Sequence, residues 1–220
     1  MSDITTGNPL QRTPEWFKDR CGCLTASRAA AVLNRRKDGK PTAAYAELID
    51  TLVCERVTGD VQGIGTTAAM QWGTDHEDEA REAYEEMTGE LVGLVGFVPH
   101  PEIEYFGASP DGRVGDDGLL EIKCPYSSAK HLQRVIAGTV PEEYRPQMLV
   151  QLICTGRRWV DFAIYDPRLF GKWERARLFV VRYEPTQEER DAALAECKEF
   201  LEKVRDAYDK LAAGMAAMSK

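Results

Sequence analysis

The 220-residue sequence has no long hydrophobic run, few histidines and no excess of base, and each shortage removes a class of function. No stretch approaches the roughly 20 consecutive apolar residues of a membrane-spanning helix. The first ten residues are polar rather than a basic region followed by a hydrophobic one, so a cytoplasmic protein without membrane contact is expected. His76, His100 and His131 are too few and too scattered for a zinc site. The cysteines (Cys21, Cys23, Cys54, Cys124, Cys154, Cys197) are dispersed, and the one close pair, Cys21 and Cys23, lacks the usual zinc spacing, so reduced thiols are expected. A formal net charge of −8 argues against a broad non-specific grip on polyphosphate, which comes from lysines and arginines displacing counterions. Any nucleic acid must therefore be held by local patches. There is no Gly-x-x-x-x-Gly-Lys-Ser/Thr phosphate loop, hence no expectation of ATP, and no Ser-His-Asp elbow.

What remains is an ordinary globular composition, 43% hydrophobic and 29% charged, read as a single domain over residues 1–220. The first dozen residues and the Gly-rich 60–65 read as loops. Residues from 25 look like a capped helix start, with Thr25 or Ser27 accepting from a free amide. Further helices are predicted over 42–57 and, from the recurrence of Ala69, Trp72, His76, Ala80, Ala83, Tyr84 and Met87, over 66–87, where Thr88-Gly89 stops the chain. Strands over 91–98, 104–109, 113–114 and 119–124 read as an antiparallel meander. Helices over 127–137 and 141–154, strands over 158–165 and 177–183, and a final helix over 186–213 capped by Thr186 with Glu189 complete the prediction. The order implies an α/β (α+β) fold, a central mixed β-sheet flanked by helices.

The chemistry is concentrated in Ser109-Pro110-Asp111-Gly112 and Leu119-Leu120-Glu121-Ile122-Lys123-Cys124-Pro125. Residues two apart on a strand share a face, so Glu121 and Lys123 project together while Leu120, Ile122 and Cys124 point to the core. A Glu and a Lys on one strand face are by themselves an unremarkable cross-strand pair. Asp111 changes that: pairing of 113–114 with 119–121 would bring its carboxylate beside Glu121. Two carboxylates held close repel unless a proton or cation lies between them, and Mg2+ accepts one or two carboxylates together with waters and substrate phosphate. The backbone carbonyl of Ile122 is a further candidate ligand. Lys123 beside the attacking water would orient it, aid its deprotonation, or offset charge on the five-coordinate phosphorus.

These residues match the PD-(D/E)xK nuclease signature, as Pro110-Asp111 and Glu121-Ile122-Lys123. With Trp16 to Ser27, Trp72-Gly73 through Glu77 to Arg81, Ala108 to Gly112, Leu120 to Pro125 and Tyr165 to Arg168, the sequence resembles the phage lambda exonuclease and YqaJ-like viral recombinase family, in order over residues 16–168. The resemblance implies a restriction-endonuclease-like core and a processive 5′→3′ exonuclease on linear double-stranded DNA that releases mononucleotides and leaves a 3′ overhang. It implies Mg2+, two ions with Mn2+ able to substitute, a homotrimeric ring and a single-strand annealing protein as partner. By position, Asp111 and Glu121 are metal ligands, Lys123 the water-activating residue, Glu77 an active-site acid on the preceding helix, and Gln147 a glutamine near the scissile phosphate. Gln151, four residues on, shares its helix face but is also compatible with the surface. Glu102 is the nearest match to an upstream acid. Arg20, Ser27 and Arg28 correspond to a pocket for the terminal 5′-phosphate, chemically apt because an arginine can bond two phosphate oxygens, and Lys130 to a further DNA contact. An endonuclease of the same superfamily and a non-catalytic DNA-end-binding scaffold are the competing readings. His76 is expected to pack, and Tyr165 to Arg168 to form a structural turn.

Overall fold

The computed structural model describes residues 11–62, 65 and 67–218. The predicted loop over residues 1–10, parts of that over 60–65, and the predicted helix start at 66 lie outside the described residues.

Strand β6 (Gly118–Lys123) organises the fold, and its composition explains why: Leu119, Leu120 and Ile122 are buried on alternating sides, as in a strand covered on both faces. It pairs antiparallel with β5 (Gly112–Val114) and parallel with β7 (Trp159–Tyr165). Beyond these stand β2 (Val92–Gly93) and β8 (Leu178–Tyr183), giving the order β2-β5-β6-β7-β8, the expected mixed sheet. A parallel pair needs a crossover, supplied here by α6 (Ser128–Ala137) and α7 (Arg145–Thr155). On one face, Ala80 and Tyr84 of α5 (Glu77–Thr88) pack with Leu120, Ile122, Ala163 and Tyr165. On the other, Met148 and Leu152 of α7 pack with Leu119, Val160, Phe162 and Ile164. Leu119, Glu121 and Lys123 share this second face, so the polar pair looks toward α7.

A second, three-stranded sheet, β1 (Leu24–Thr25), β4 (Phe106–Ala108) and β3 (Val98–Pro99) in the order β1-β4-β3, shares a core with α2 (Ala29–Leu33), α3 (Ala43–Thr58) and α8 (Gln187–Met218) through Leu24, Leu52, Phe106, Phe200 and Val204. This corrects the predicted meander. Residues 91–98 form two short strands in different sheets, and between β4 and β5 the chain leaves one sheet for the other. Asp111 lies in that crossing, one residue before β5.

Two helix predictions also change. The helix over 66–87 is broken at His76 (φ −111°) into α4 (Ala68–Asp75) and α5. Trp72, Ala80 and Tyr84 keep one apolar stripe through the break, so periodicity could not reveal it. The His76 ring packs on Trp72 with centroids 4.0 Å apart, and Glu77, Asp78 and Glu79 become the first turn of α5, where the helix dipole favours acids. Near residue 25 the chain is strand β1, then a 3-10 turn (Ala26–Arg28), then α2. Thr25 and Ser27 bond each other through their hydroxyls (3.2 Å) instead of capping a helix. The sequence reading also missed α1 (Pro14–Arg20), capped by the Thr13 side chain with proline at its start. The region over 141–154 begins as a 3-10 turn (Glu142–Tyr144) before α7. The Thr186–Glu189 capping box forms as read, with both reciprocal bonds, and α8 continues to Met218.

Helix α5 is tied to the sheet by a polar contact under its apolar stripe. The Tyr84 hydroxyl donates to Asp161 Oδ2 (2.8 Å), and Arg182 bonds both oxygens of the same carboxylate (2.8 and 2.9 Å). Each buried polar atom of that carboxylate is thereby satisfied.

Candidate active site

The β5–β6 register pairs Gly112 with Leu120 and Arg113 with Leu119, so Asp111 falls opposite Glu121. Glycine follows Asp111 for a reason: a Cβ at Gly112 would meet Val92 Cγ1 at 2.1 Å, so only glycine lets β2 close on β5 there. Asp111 Oδ2 accepts the Ile122 amide N–H (2.7 Å). Glu121 is fully buried and accepts from three donors: Gln147 Nε2 at 2.6 Å, Gln151 Nε2 at 2.5 Å and the Lys123 ammonium. The Lys123 Nζ also lies 5.4 Å from the Tyr144 ring centroid. Burial, then the charges of Glu121 and Glu77, raise the Asp111 carboxyl well above the ordinary range. Burial would lower the Lys123 ammonium, but the Glu121 and Asp111 carboxylates outweigh it and raise its pKa.

Asp111, Glu121, Ile122, Lys123, Glu77 and Gln147 all line one cleft of about 440 Å³. Its donors are oxygens, the set a hard cation such as Mg2+ accepts. Among the described residues no three of His, Cys, Asp or Glu are grouped to cage an ion by themselves. A cation would therefore rest on two carboxylates, a carbonyl, water and substrate oxygens, and the excess of negative charge around Asp111 fits that need.

The other end of the cleft is basic. Arg20 donates to Ser27 Oγ (3.2 Å) and Ser109 Oγ (3.3 Å), and lies 3.9 Å over the Trp16 ring, whose Nε1 also donates to Ser109 Oγ (3.0 Å). Burial and the neighbouring Arg28 push the Arg20 pKa down to about 10. A bound anion would relieve that strain on its charge. Ser109 was not singled out from the sequence, although it lies within the Ala108 to Gly112 segment. Tyr144, Arg134 and Arg12, which line the same cleft, were missed as well.

Three predicted contacts are placed elsewhere. Arg28 is bound through both terminal nitrogens to the buried carboxylate of Glu55 (2.6 and 2.9 Å), so its guanidinium is committed to the fold. Glu102 lines a separate cavity with Arg56, Lys198 and Tyr208, because the turn before β4 faces α8 and not the cleft. Lys130 lines a neighbouring depression that shares only Arg134 with the cleft. Gln151 is moved the other way: it is buried and bonded to Glu121, which removes the surface alternative.

The remaining features are structural. All six cysteines are free thiols. Burial raises Cys23 to about 11 and Cys124 and Cys197 to about 12, which keeps them protonated. Asp166 and Arg168 pair within their own turn (2.7 and 2.8 Å), and Arg168 also donates to the carbonyls of Pro125 and Tyr126. No described helix is long and apolar enough to cross a membrane.

A mixed sheet flanked by helices, with an aspartate at the mouth of a hairpin and a Glu-x-Lys on its second strand, defines the PD-(D/E)xK nuclease fold. Within that class the chain belongs to the YqaJ-like viral recombinase family, whose model matches residues 15–158. Among solved structures it is similar to an alkaline exonuclease, LHK-Exo, from Laribacter hongkongensis, at 39% identity and a TM-score of 0.85, covering 94% of this chain and 100% of that one. The same enzyme in complex with dAMP matches equally. A phage-related exonuclease from Haemophilus somnus 129PT shares the fold at 15% identity and a TM-score of 0.61, covering 88% of this chain and 96% of that one. Comparison with curated proteins gives no match.

Proposed function

We propose that this protein is a Mg2+-dependent exonuclease that degrades the 5′-ended strand of linear double-stranded DNA, releasing 5′-mononucleotides and leaving a 3′ single-stranded overhang. One observation carries the reading: the Asp111–Glu121–Lys123 cluster and the Arg20–Ser27–Ser109 pocket occupy a single cleft, so an anion-binding end and a hydrolytic end are within reach of one strand. The similarity to an alkaline exonuclease whose structure also holds a deoxynucleoside monophosphate supports the product class.

Asp111, Glu121 and the Ile122 carbonyl would hold Mg2+, two ions in the fully loaded site with Mn2+ as a substitute, and the cation supplies Lewis-acid polarisation of the phosphodiester. The protein groups do the rest. Arg20, Ser27 and Ser109 receive the terminal 5′-phosphate and so set which bond reaches the carboxylates. Lys123 presents an ammonium where charge grows on the phosphoryl oxygens. Gln147 and Gln151 fix both oxygens of Glu121, so its orientation costs no reorganisation during reaction. Glu77 adds a carboxylate from the positive end of α5. No ATP is required, and we extend the reading to a homotrimeric ring that retains its DNA by enclosure, since a chain of net charge −8 has little general grip on it. The 3′ strand left behind suits a single-strand annealing protein.

The test uses linear duplex DNA labelled at either end, with and without Mg2+ and with and without a 5′-phosphate, beside a covalently closed plasmid. Label at the 5′ end should be released as mononucleotide only with Mg2+ and fastest from phosphorylated ends, and Lys123→Ala should be folded and inactive. Cutting of the closed plasmid would instead establish an endonuclease, and end-binding without cutting a scaffold.

A further inference from the structure

Arg12 has no part in the scheme above, yet it lines the same cleft as Asp111, Glu121 and Lys123. Its Nη2 lies 2.5 Å from Glu77 Oε2, and among the described residues Glu77 is its only ion-pair partner. The neighbouring residues hold it there. Gln11 donates both protons of its side-chain amide, to the carbonyls of Val95 (2.9 Å) and of Pro110 (2.8 Å), the residue before Asp111. Thr13 caps α1, the helix that carries Trp16 and Arg20 of the anion pocket. Arg12 itself takes φ 66°, a left-handed conformation that side chains rarely adopt without being held in it. The backbone is thus clamped so that one guanidinium faces the cleft shared by the anion pocket and the carboxylates, against Glu77.

We propose that Arg12 is a substrate-binding residue that exchanges partners: in the empty cleft it neutralises Glu77, and when a DNA end arrives it takes a phosphate of the bound strand and leaves Glu77 free on the cation side of the site. This rests on the reading of the cleft as a DNA-end site. The exchange is downhill because the Arg12–Glu77 pair is weak. The Arg12 side chain is 47% exposed and the bond is made through one nitrogen, so solvent screens it. A phosphate offers two oxygens to the guanidinium fork in a charge-assisted, bidentate pair. Cation binding and DNA binding are thereby coupled through one side chain, with each DNA phosphate that arrives unmasking a carboxylate.

The coupling is measured without cleavage, by fluorescence anisotropy of a labelled linear duplex in EDTA, on the full chain and on Arg12→Ala, Glu77→Gln and the double variant. Arg12→Ala should weaken end binding by about tenfold, the scale of one charge-assisted hydrogen bond. Glu77→Gln should tighten binding when Arg12 is present, by releasing the guanidinium, and should have little effect in the Arg12→Ala background. Equal tightening in both backgrounds overturns the proposal, since removal of a negative charge from the cleft then explains it. An Arg12→Ala protein that melts like the wild type and binds as tightly also overturns it. If Arg12→Ala does not fold, Arg12→Met keeps the aliphatic stem and carries the same comparison. Wild-type protein that binds no duplex end would overturn the DNA reading of the cleft itself, an outcome distinct from loss of the coupling.

Discussion

Replacing Asp111 by asparagine should stabilise the protein and abolish cleavage at the same time, a combination expected of a ligand held ready for a cation and not of a structural aspartate. The Asp111 carboxylate is enclosed with Glu121 and Glu77, and the nearest cation, Lys123, is already bonded to Glu121. Its folded pKa is raised, by burial first and by Glu121 and Glu77 next, well above the ordinary carboxyl range. A carboxyl shifted upward binds its proton more tightly in the folded state, so stability falls as pH rises from the unfolded value toward the folded one, and the penalty is felt at alkaline pH. Asparagine removes the charge and keeps an oxygen to accept the Ile122 amide, now at 2.7 Å. A gain on the order of 1–3 kcal/mol is expected, at roughly 2–4 °C in Tm per kcal/mol for a chain of this size. Calorimetry in EDTA at pH 8 should therefore show the variant melting several degrees above wild type. Adding Mg2+ should narrow or close the gap: at a hundred times Kd a ligand adds about 2.7 kcal/mol to the protein that binds it, and only wild type retains both carboxylates. A variant that melts at or below wild type in EDTA would refute the reasoning, as would Mg2+ raising both midpoints equally.

Arg28→Ala should be among the most destabilising substitutions, by about 3–5 kcal/mol, because it leaves the buried Glu55 charge without its partner. The same pair predicts acid sensitivity. Burial alone would raise Glu55, but bonds from Arg28, Gly22 and Gln62 lower its pKa, so its contribution is present above the unfolded value and lost as pH falls through the folded one; the wild-type midpoint should drop on acidification below about pH 4.5, with a flatter slope in the variant. Gly107→Ala should cost about 1–3 kcal/mol by thermal melting, since its Cβ would stand 2.3 Å from the Phe97 ring and 2.8 Å from the Val98 carbonyl oxygen, backbone that cannot retreat. Light scattering at micromolar concentration should return a trimer mass, and a monomer mass alone would reject the ring.

The residues that could be placed from the sequence are those whose geometry is set by short spacing. Period two puts Glu121 and Lys123 on one face of β6, and one hairpin register sets Asp111 opposite Glu121, so three of the cleft's charged groups follow from the segment 111–123. Helical spacing likewise puts Gln147 and Gln151 on one face of α7. What it cannot say is which surface that face meets, and the parallel crossover from β6 through α7 to β7, a tertiary event, turns both glutamines onto Glu121. Whether a polar group is free for a ligand is decided the same way. Arg28 at the start of α2 has the look of an anion site until Glu55, 27 residues on, takes both of its terminal nitrogens; Arg20, only eight residues earlier, keeps its place in the cleft because its partners are the neutral hydroxyls of Ser27 and Ser109. Residue type is the same in the two arginines, one closing α1 and the other opening α2, and neither end by itself decides availability. The difference lies in the charge of the neighbour the fold supplies, so an arginine facing hydroxyls remains available to phosphate while one facing a buried carboxylate does not.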